Sequence, residues 1–124
     1  MHAVLLGGPA EHPRNIDIAQ QTGAIYHGVH PYATFFAIVH QCDVVVTTVT
    51  MALHAAIGLR KQVVLFNNIF NRNEFELYGR GELIEPPRQC ECFFQHACTS
   101  ALGSCMNDIT ASDVFAAVQR VAPR

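Results

Sequence analysis

The run from Asp43 to Phe66, DVVVTTVTMALHAAIGLRKQVVLF, constrains the fold of this chain more than any other segment. Two apolar stretches, Val44–Val46 and Val63–Phe66, flank a threonine-rich turn and a short helical segment over Met51–Gly58. Apolar runs of that length bounded by turn residues read as buried strands, so the run predicts a strand–helix–strand unit. Such a unit places Thr47, Thr48, Thr50 and His54 at a strand's carboxyl end, where open parallel sheets bind ligands. The helix start offers unpaired N–H groups and a positive dipole end to an anion. A phosphate-bearing small molecule is therefore expected, a nucleotide before others.

The remaining elements follow the same alternation. Ala3–Leu6 reads as a strand ending in Gly7-Gly8-Pro9, followed by a helix over Pro13–Gln21 and a short strand over Ala24–Tyr26. A helix begins at Pro31, with Phe35, Ile38 and Val39 as its apolar face. After Phe66 come a polar loop over Asn67–Asn73, one helical turn over Glu74–Tyr78 and a short strand over Leu83–Glu85. Thr110 and Asp113 resemble a capping box, opening a last helix with Val114, Phe115, Val118 and Val121 on one face. Alternating strands and helices predict an α/β fold, a Rossmann-like and mostly parallel sheet with flanking helices. At 124 residues the chain is expected to form one domain.

Composition excludes several classes. Half of the residues are hydrophobic and 15% are charged, which is globular rather than disordered. Net charge is −2 with only 8 Lys and Arg, so nucleic acid is not an expected partner. No apolar run reaches bilayer length, and the amino terminus lacks the charged region of a secretory signal. A cytoplasmic location is expected by default, with peripheral association at the inner membrane left open.

Three further constellations could carry chemistry. Gly7 and Gly8 let backbone approach a ligand, and Glu11 could accept hydrogen bonds from a ribose diol or simply complement a helix dipole. In the Asn67–Glu74 loop, amides such as Asn68 and the Arg72 guanidinium suit a phosphate or sugar, or else form a solvated turn. Four of five cysteines, Cys90, Cys92, Cys98 and Cys105, fall in one segment with the pattern C-x-C-x5-C-x6-C. In a reducing compartment such a cluster holds a metal, zinc first, or remains free thiols. His96 could replace one thiolate, and Cys42 stands apart as a core residue.

The order of these motifs resembles the carboxyl-terminal half of glycosyltransferase family 9, the ADP-heptose:lipopolysaccharide heptosyltransferase-like enzymes. The resemblance covers nearly the whole chain. The family's LGG-P-x-E looks like Leu5-Leu6-Gly7-Gly8-Pro9-Ala10-Glu11, and its A-D-x-V-V-T looks like Gln41-Cys42-Asp43-Val44-Val45-Val46-Thr47. Its central D-[ST]-G-x-x-H-x-A aligns with Val49-Thr50-Met51-Ala52-Leu53-His54-Ala55-Ala56, and its V-x-L-F with Val63–Phe66. The late cysteine segment through Cys105-Met106-Asn107-Asp108-Ile109 and Val114 is similar as well.

The resemblance implies the donor-binding domain of a two-domain GT-B fold, lacking its first strand–helix unit. It implies a nucleotide sugar, ADP-heptose or a related donor, as ligand. Glu11 would meet the ribose, while Thr50, backbone around Met51, and His54 would meet the diphosphate. The acceptor domain, with the family's catalytic base, lies outside this chain, so an acceptor domain or subunit is an implied partner and little activity is expected from the chain alone. A homodimer through an uncovered sheet edge is also expected. The family's Asp and Gly in the central motif are Val49 and Met51 here, and its Gly and Pro before the next strand are Arg60 and Gln62. Half of another GT-B-like enzyme, such as a sugar-nucleotide epimerase, and a metal-stabilised assembly module are the competing readings.

Overall fold

The computed structural model describes residues 1–90, 92, 95 and 97–123, so His96 lies outside the described residues. The chain divides into two compact units, residues 1–38 and 39–124.

In the first unit a single parallel bridge joins Val4 to Ile25. Leu5 N–H donates to the Ile25 carbonyl at 2.8 Å, and Ile25 N–H donates to the Ala3 carbonyl at 2.8 Å. The two strands expected here shrink to that bridge. Gly28, at φ 91, turns the chain out of extended backbone soon after Ile25. Gly7-Gly8 ends the extension on the other side. Between the bridge partners runs helix α1, His12–Thr22. It ends at Gly23, whose left-handed backbone (φ 74) lets its N–H close on Ala19. Helix α2, Tyr32–Gln41, begins after Pro31 and buries Val39.

The second unit is built on three parallel strands in the order β1 (Val44–Thr47), β2 (Gln62–Phe66), β3 (Gly81–Ile84). Val46 pairs with Val64, and Val64 with Glu82, so these residues share one face of the sheet. Helix α4, Ala111–Val121, covers that face by packing Ala117 and Val118 on Val64, with Val44, Ile84 and Val121 around them. Val63 and Leu65 point to the opposite face and are fully buried. Helix α3, Met51–Gly58, lies against β1 and β2 and buries Leu53 and Ala56. The sheet is thus an α/β layer of the expected parallel kind, and β2, its central strand, is the most buried. Gly81 opens β3 where a β-carbon would stand 2.6 Å from the Val63 carbonyl oxygen, so only glycine fits this approach. Among the described residues no helix is long and apolar enough to cross a membrane.

Local chemistry sets the helix ends. The Thr110 side chain accepts from Asp113 N–H at 3.1 Å, and Asp113 accepts from Thr110 N–H at 2.9 Å, completing the capping box. The Thr110 hydroxyl and N–H hold the Asp113 carboxyl below its ordinary range. Phe115 was expected on the buried face of α4 but is 54% exposed. The stripe that meets the sheet runs through Ala117, Val118 and Val121, and Phe115 lies about 60° beyond its Val118 edge, on the solvent side. The helical turn expected over Glu74–Tyr78 instead falls at Arg72–Glu74, because the Asn71 side chain caps Asn73 N–H at 3.1 Å. Consecutive left-handed residues Tyr78 and Gly79 then reverse the chain.

Helix α3 closes with a Schellman pair: Lys61 N–H donates to the Ala56 carbonyl at 2.9 Å, and Arg60 N–H to Ile57 at 3.0 Å. This motif needs left-handed backbone at Arg60, and its φ is 56. A β-carbon disfavours that conformation, which glycine adopts freely. Arg60→Gly should therefore raise stability by a few tenths to about 1 kcal/mol, read as a higher Tm with unchanged far-UV circular dichroism.

Arg120 on α4 donates to Glu82 of β3 at 2.9 and 2.6 Å, and this pairing lowers the Glu82 pKa. A depressed carboxyl contributes stability above its unfolded pKa and loses it as pH falls through the folded one. Glu82→Gln should accordingly be less stable than the parent at neutral pH. The two should converge in acid in pH-dependent thermal denaturation.

Candidate functional site

The carboxyl end of β1 runs directly into α3. Thr47 closes the strand, and Thr50 caps the helix in extended conformation, its hydroxyl accepting from Ala52 N–H at 3.3 Å. The Thr47 hydroxyl donates to the Thr48 carbonyl at 3.1 Å and lies 3.2 Å from the Thr50 hydroxyl. Thr48, Thr50, Met51 and His54 are exposed, and Thr47 is half-buried. Hydroxyls, an imidazole and the first turn of a helix therefore share one open edge. Ala52 N–H is taken by the Thr50 hydroxyl and Leu53 N–H by the Thr50 carbonyl at 3.0 Å, and α3 carries no acidic residue that would repel an anion from its positive dipole end.

The carboxyl end of the neighbouring strand β2 is organised by Asn67, which is only 2% exposed. Its amide donates to the Phe70 carbonyl and to Glu85 Oε1, both at 2.9 Å, and its oxygen accepts from Phe70 N–H at 3.2 Å. One side chain thus folds the loop after β2 and ties it to the residue after β3. The loop frames an open cleft of about 480 Å³ lined by Asn68, Phe70, Asn71, Arg72, Glu74 and Glu85 among others. Arg72 stands 3.5 Å from Glu85 and is largely exposed. Two carboxylates, amides and one aromatic face suit a hydroxyl-rich ligand better than a bare anion.

Gly7, Gly8 and Glu11 lie in the first unit. Gly8 N–H donates to Glu11 Oε2 at 2.8 Å, so this carboxylate already staples the glycine turn. A β-carbon on Gly7 would stand 2.8 Å from the Glu11 β-carbon, which explains glycine there. A ribose at Glu11 would share a carboxylate that is partly engaged. Nearby, Asn15 is buried, and its amide nitrogen has no partner among the described residues.

The cysteine segment is held by side chains rather than by regular structure. Cys90, Cys92 and Cys105 are buried together against Ile69 and Met106. Cys92 Sγ lies 3.6 Å from Cys98 Sγ and accepts from Thr99 N–H at 3.2 Å, with the Thr99 hydroxyl 3.5 Å away. Those Thr99 groups hold the Cys92 thiol down, at about 7. Burial, and next the Cys90 sulfur, push the Cys105 thiol up, while a hydrogen bond with Asn68 opposes them. Arg88 fastens the segment through Asp108 at 2.9 Å, Ser100 at 3.1 Å and the Gly103 carbonyl at 3.2 Å. A cavity of about 50 Å³ opens between Arg88 and the four cysteines. Cys92 and Cys98 form a close pair, Cys90 and Cys105 share the buried cluster with Cys92, and among the described residues no three His, Cys, Asp or Glu side chains converge on one ion position.

Comparison with known protein families, with curated proteins and with solved structures finds no match. The functional reading therefore rests on the residues themselves. Thr47, Thr48, Thr50, Met51 and His54 come together at one strand end, and Asn68 and Arg72 line the cleft at the next. Asn68 also reaches Cys105, which links that cleft to the cysteine segment. Two residues that sequence reasoning missed matter here. Asn67 is hidden in an asparagine-rich run, and its partner Glu85 lies 18 positions away. Arg88 is a lone cation between Pro86-Pro87 and the first cysteine, the only local hint of its role.

Replacing Asn67 with alanine leaves the Phe70 backbone groups and Glu85 without their partner. The cost should be about 1–3 kcal/mol, seen as a lower denaturation midpoint at unchanged m-value.

Proposed function

We propose that this chain is the donor-binding half of a family 9-like glycosyltransferase, holding a nucleoside-diphosphate sugar along the carboxyl edge of its parallel sheet. The observation that carries the reading is the cluster of half-buried Thr47 with exposed Thr48, Thr50 and His54 at the start of α3, with no acidic side chain on that helix. The diphosphate sits at the helix start, meeting the threonine hydroxyls, the positive end of the helix dipole and the His54 ring. The sugar occupies the cleft after β2, where Asn68, Arg72 and the nearby carboxylates address its hydroxyls. Since β1 and β2 are adjacent, the two subsites are neighbouring strand ends, as a compact diphosphate sugar requires. Positive φ at Arg60, where the family pattern carries glycine, further supports the register of the resemblance.

In this reading the chain's groups stabilise charge on the departing nucleoside diphosphate. The base that activates the acceptor comes from a separate domain or subunit, and transfer by this chain alone is negligible.

A thermal-shift series with ADP, other nucleoside diphosphates and their sugar conjugates tests this. A ligand at 100 times its Kd should stabilise the chain by about 2.7 kcal/mol. Thr50→Ala and His54→Ala should abolish the ADP response while leaving the unliganded Tm within a few degrees of the parent. A flat response to every nucleoside diphosphate and nucleotide sugar would overturn the proposal.

A further inference from the structure

We propose that Cys90, Cys92, Cys98 and Cys105 form a structural zinc site that clamps the segment after β3 onto the loop after β2. This inference does not depend on the donor-binding reading.

All four thiols line a single cavity of about 50 Å³. In a tetrahedral thiolate site with Zn–S of about 2.3 Å, neighbouring sulfurs stand about 3.8 Å apart. Cys92 and Cys98 already stand at 3.6 Å, close to that edge length. Cys90 and Cys105 are buried in one cluster with Cys92 and line the same cavity. The four thiols do not yet converge on a point, and a single ion between them would draw them together through side-chain rotation.

The surroundings supply what a thiolate set requires. Cys92 N–H points to Cys90 Sγ at 3.4 Å, Thr99 N–H to Cys92 Sγ at 3.2 Å, and the Asn68 side chain hydrogen-bonds Cys105. Donors to sulfur orient ligands and spread their charge. Four thiolates around a divalent ion carry a net charge of about −2, and the Arg88 guanidinium lines the same cavity. Three hydrogen bonds fix Arg88 in place, so its charge is positioned rather than floating. Soft sulfur ligands select zinc over magnesium or calcium.

A disulfide is the main competing fate of the close Cys92–Cys98 pair. It would use two of the thiols and leave Cys90 and Cys105 buried without a role.

The experiment uses the full chain, purified under reducing conditions without chelator. Elemental analysis should find about one zinc per chain, released by a mercurial that titrates thiols, with a fall in Tm on release. Cys92→Ser and Cys105→Ser should lose the zinc, while Cys42→Ser, outside the segment, should retain it. Should the cluster variants fail to fold, cobalt provides a second readout. Metal-stripped parent protein should take up cobalt and develop the thiolate charge-transfer and tetrahedral d–d absorption of a four-sulfur site. Metal-poor protein that binds neither zinc nor cobalt, with all five cysteines reacting freely, would overturn the proposal. A Cys92–Cys98 disulfide found by mass spectrometry in the reduced preparation would also overturn it, as would the visible absorption of an iron–sulfur cluster.

Discussion

Asn67 is where the central strand of the sheet gives way to the candidate site at its carboxyl edge. With its side chain withdrawn from solvent, the Phe70 backbone and the Glu85 carboxylate are the partners it has. A buried amide is tolerated only when its polar atoms are paired, so the loop after β2 must take the one shape that pairs them. That shape sets where Asn68 and Arg72 stand, and how far the residue after β3 is drawn toward β2. The cleft, lined by Asn68, Phe70, Arg72 and Glu85, follows from this satisfied side chain.

The same edge joins two kinds of chemistry. At β1 it presents hydroxyls and the amino-terminal end of α3, while at β2 it presents amides, carboxylates and an aromatic ring. Behind the second set stand the cysteines, packed on Ile69 and hydrogen-bonded through Asn68. Rigidity of the β2 loop therefore depends on contacts contributed by residues 20 or more positions further along the chain. Were this loop to hold a ligand, as proposed, its prior order would lower the entropy lost on binding.

Elements governed by local chemistry were readable from the sequence. Helix α3 runs from Met51 to Gly58 as its Thr50 cap and apolar run imply, and the Thr110–Asp113 box starts α4 as its spacing implies. Features set by distant partners were not readable. Ala24–Tyr26 has strand composition, but pairing stops at one bridge because of the glycine bends around it. Phe115 looks like a core residue until the rotation of α4 on the sheet is known. In the candidate site the Thr47–His54 edge was legible from one segment, whereas the roles of Asn67 and Arg88 required Glu85 and Asp108. The cysteine segment lacked periodicity because sulfur and guanidinium contacts, not backbone ladders, hold it.

Gly81 has a meaning for the history of this chain. With the Val63 carbonyl 2.6 Å from where any β-carbon would sit, β3 can enter the sheet at its observed spacing only through glycine. Nearly every missense change in that codon would push β3 away from β2 and shift Glu85, which follows the strand and holds Asn67. Position 81 should thus stay still while surface positions drift. In divergent relatives, a glycine at the head of the third strand would serve as a landmark for alignment where the loops around it no longer match.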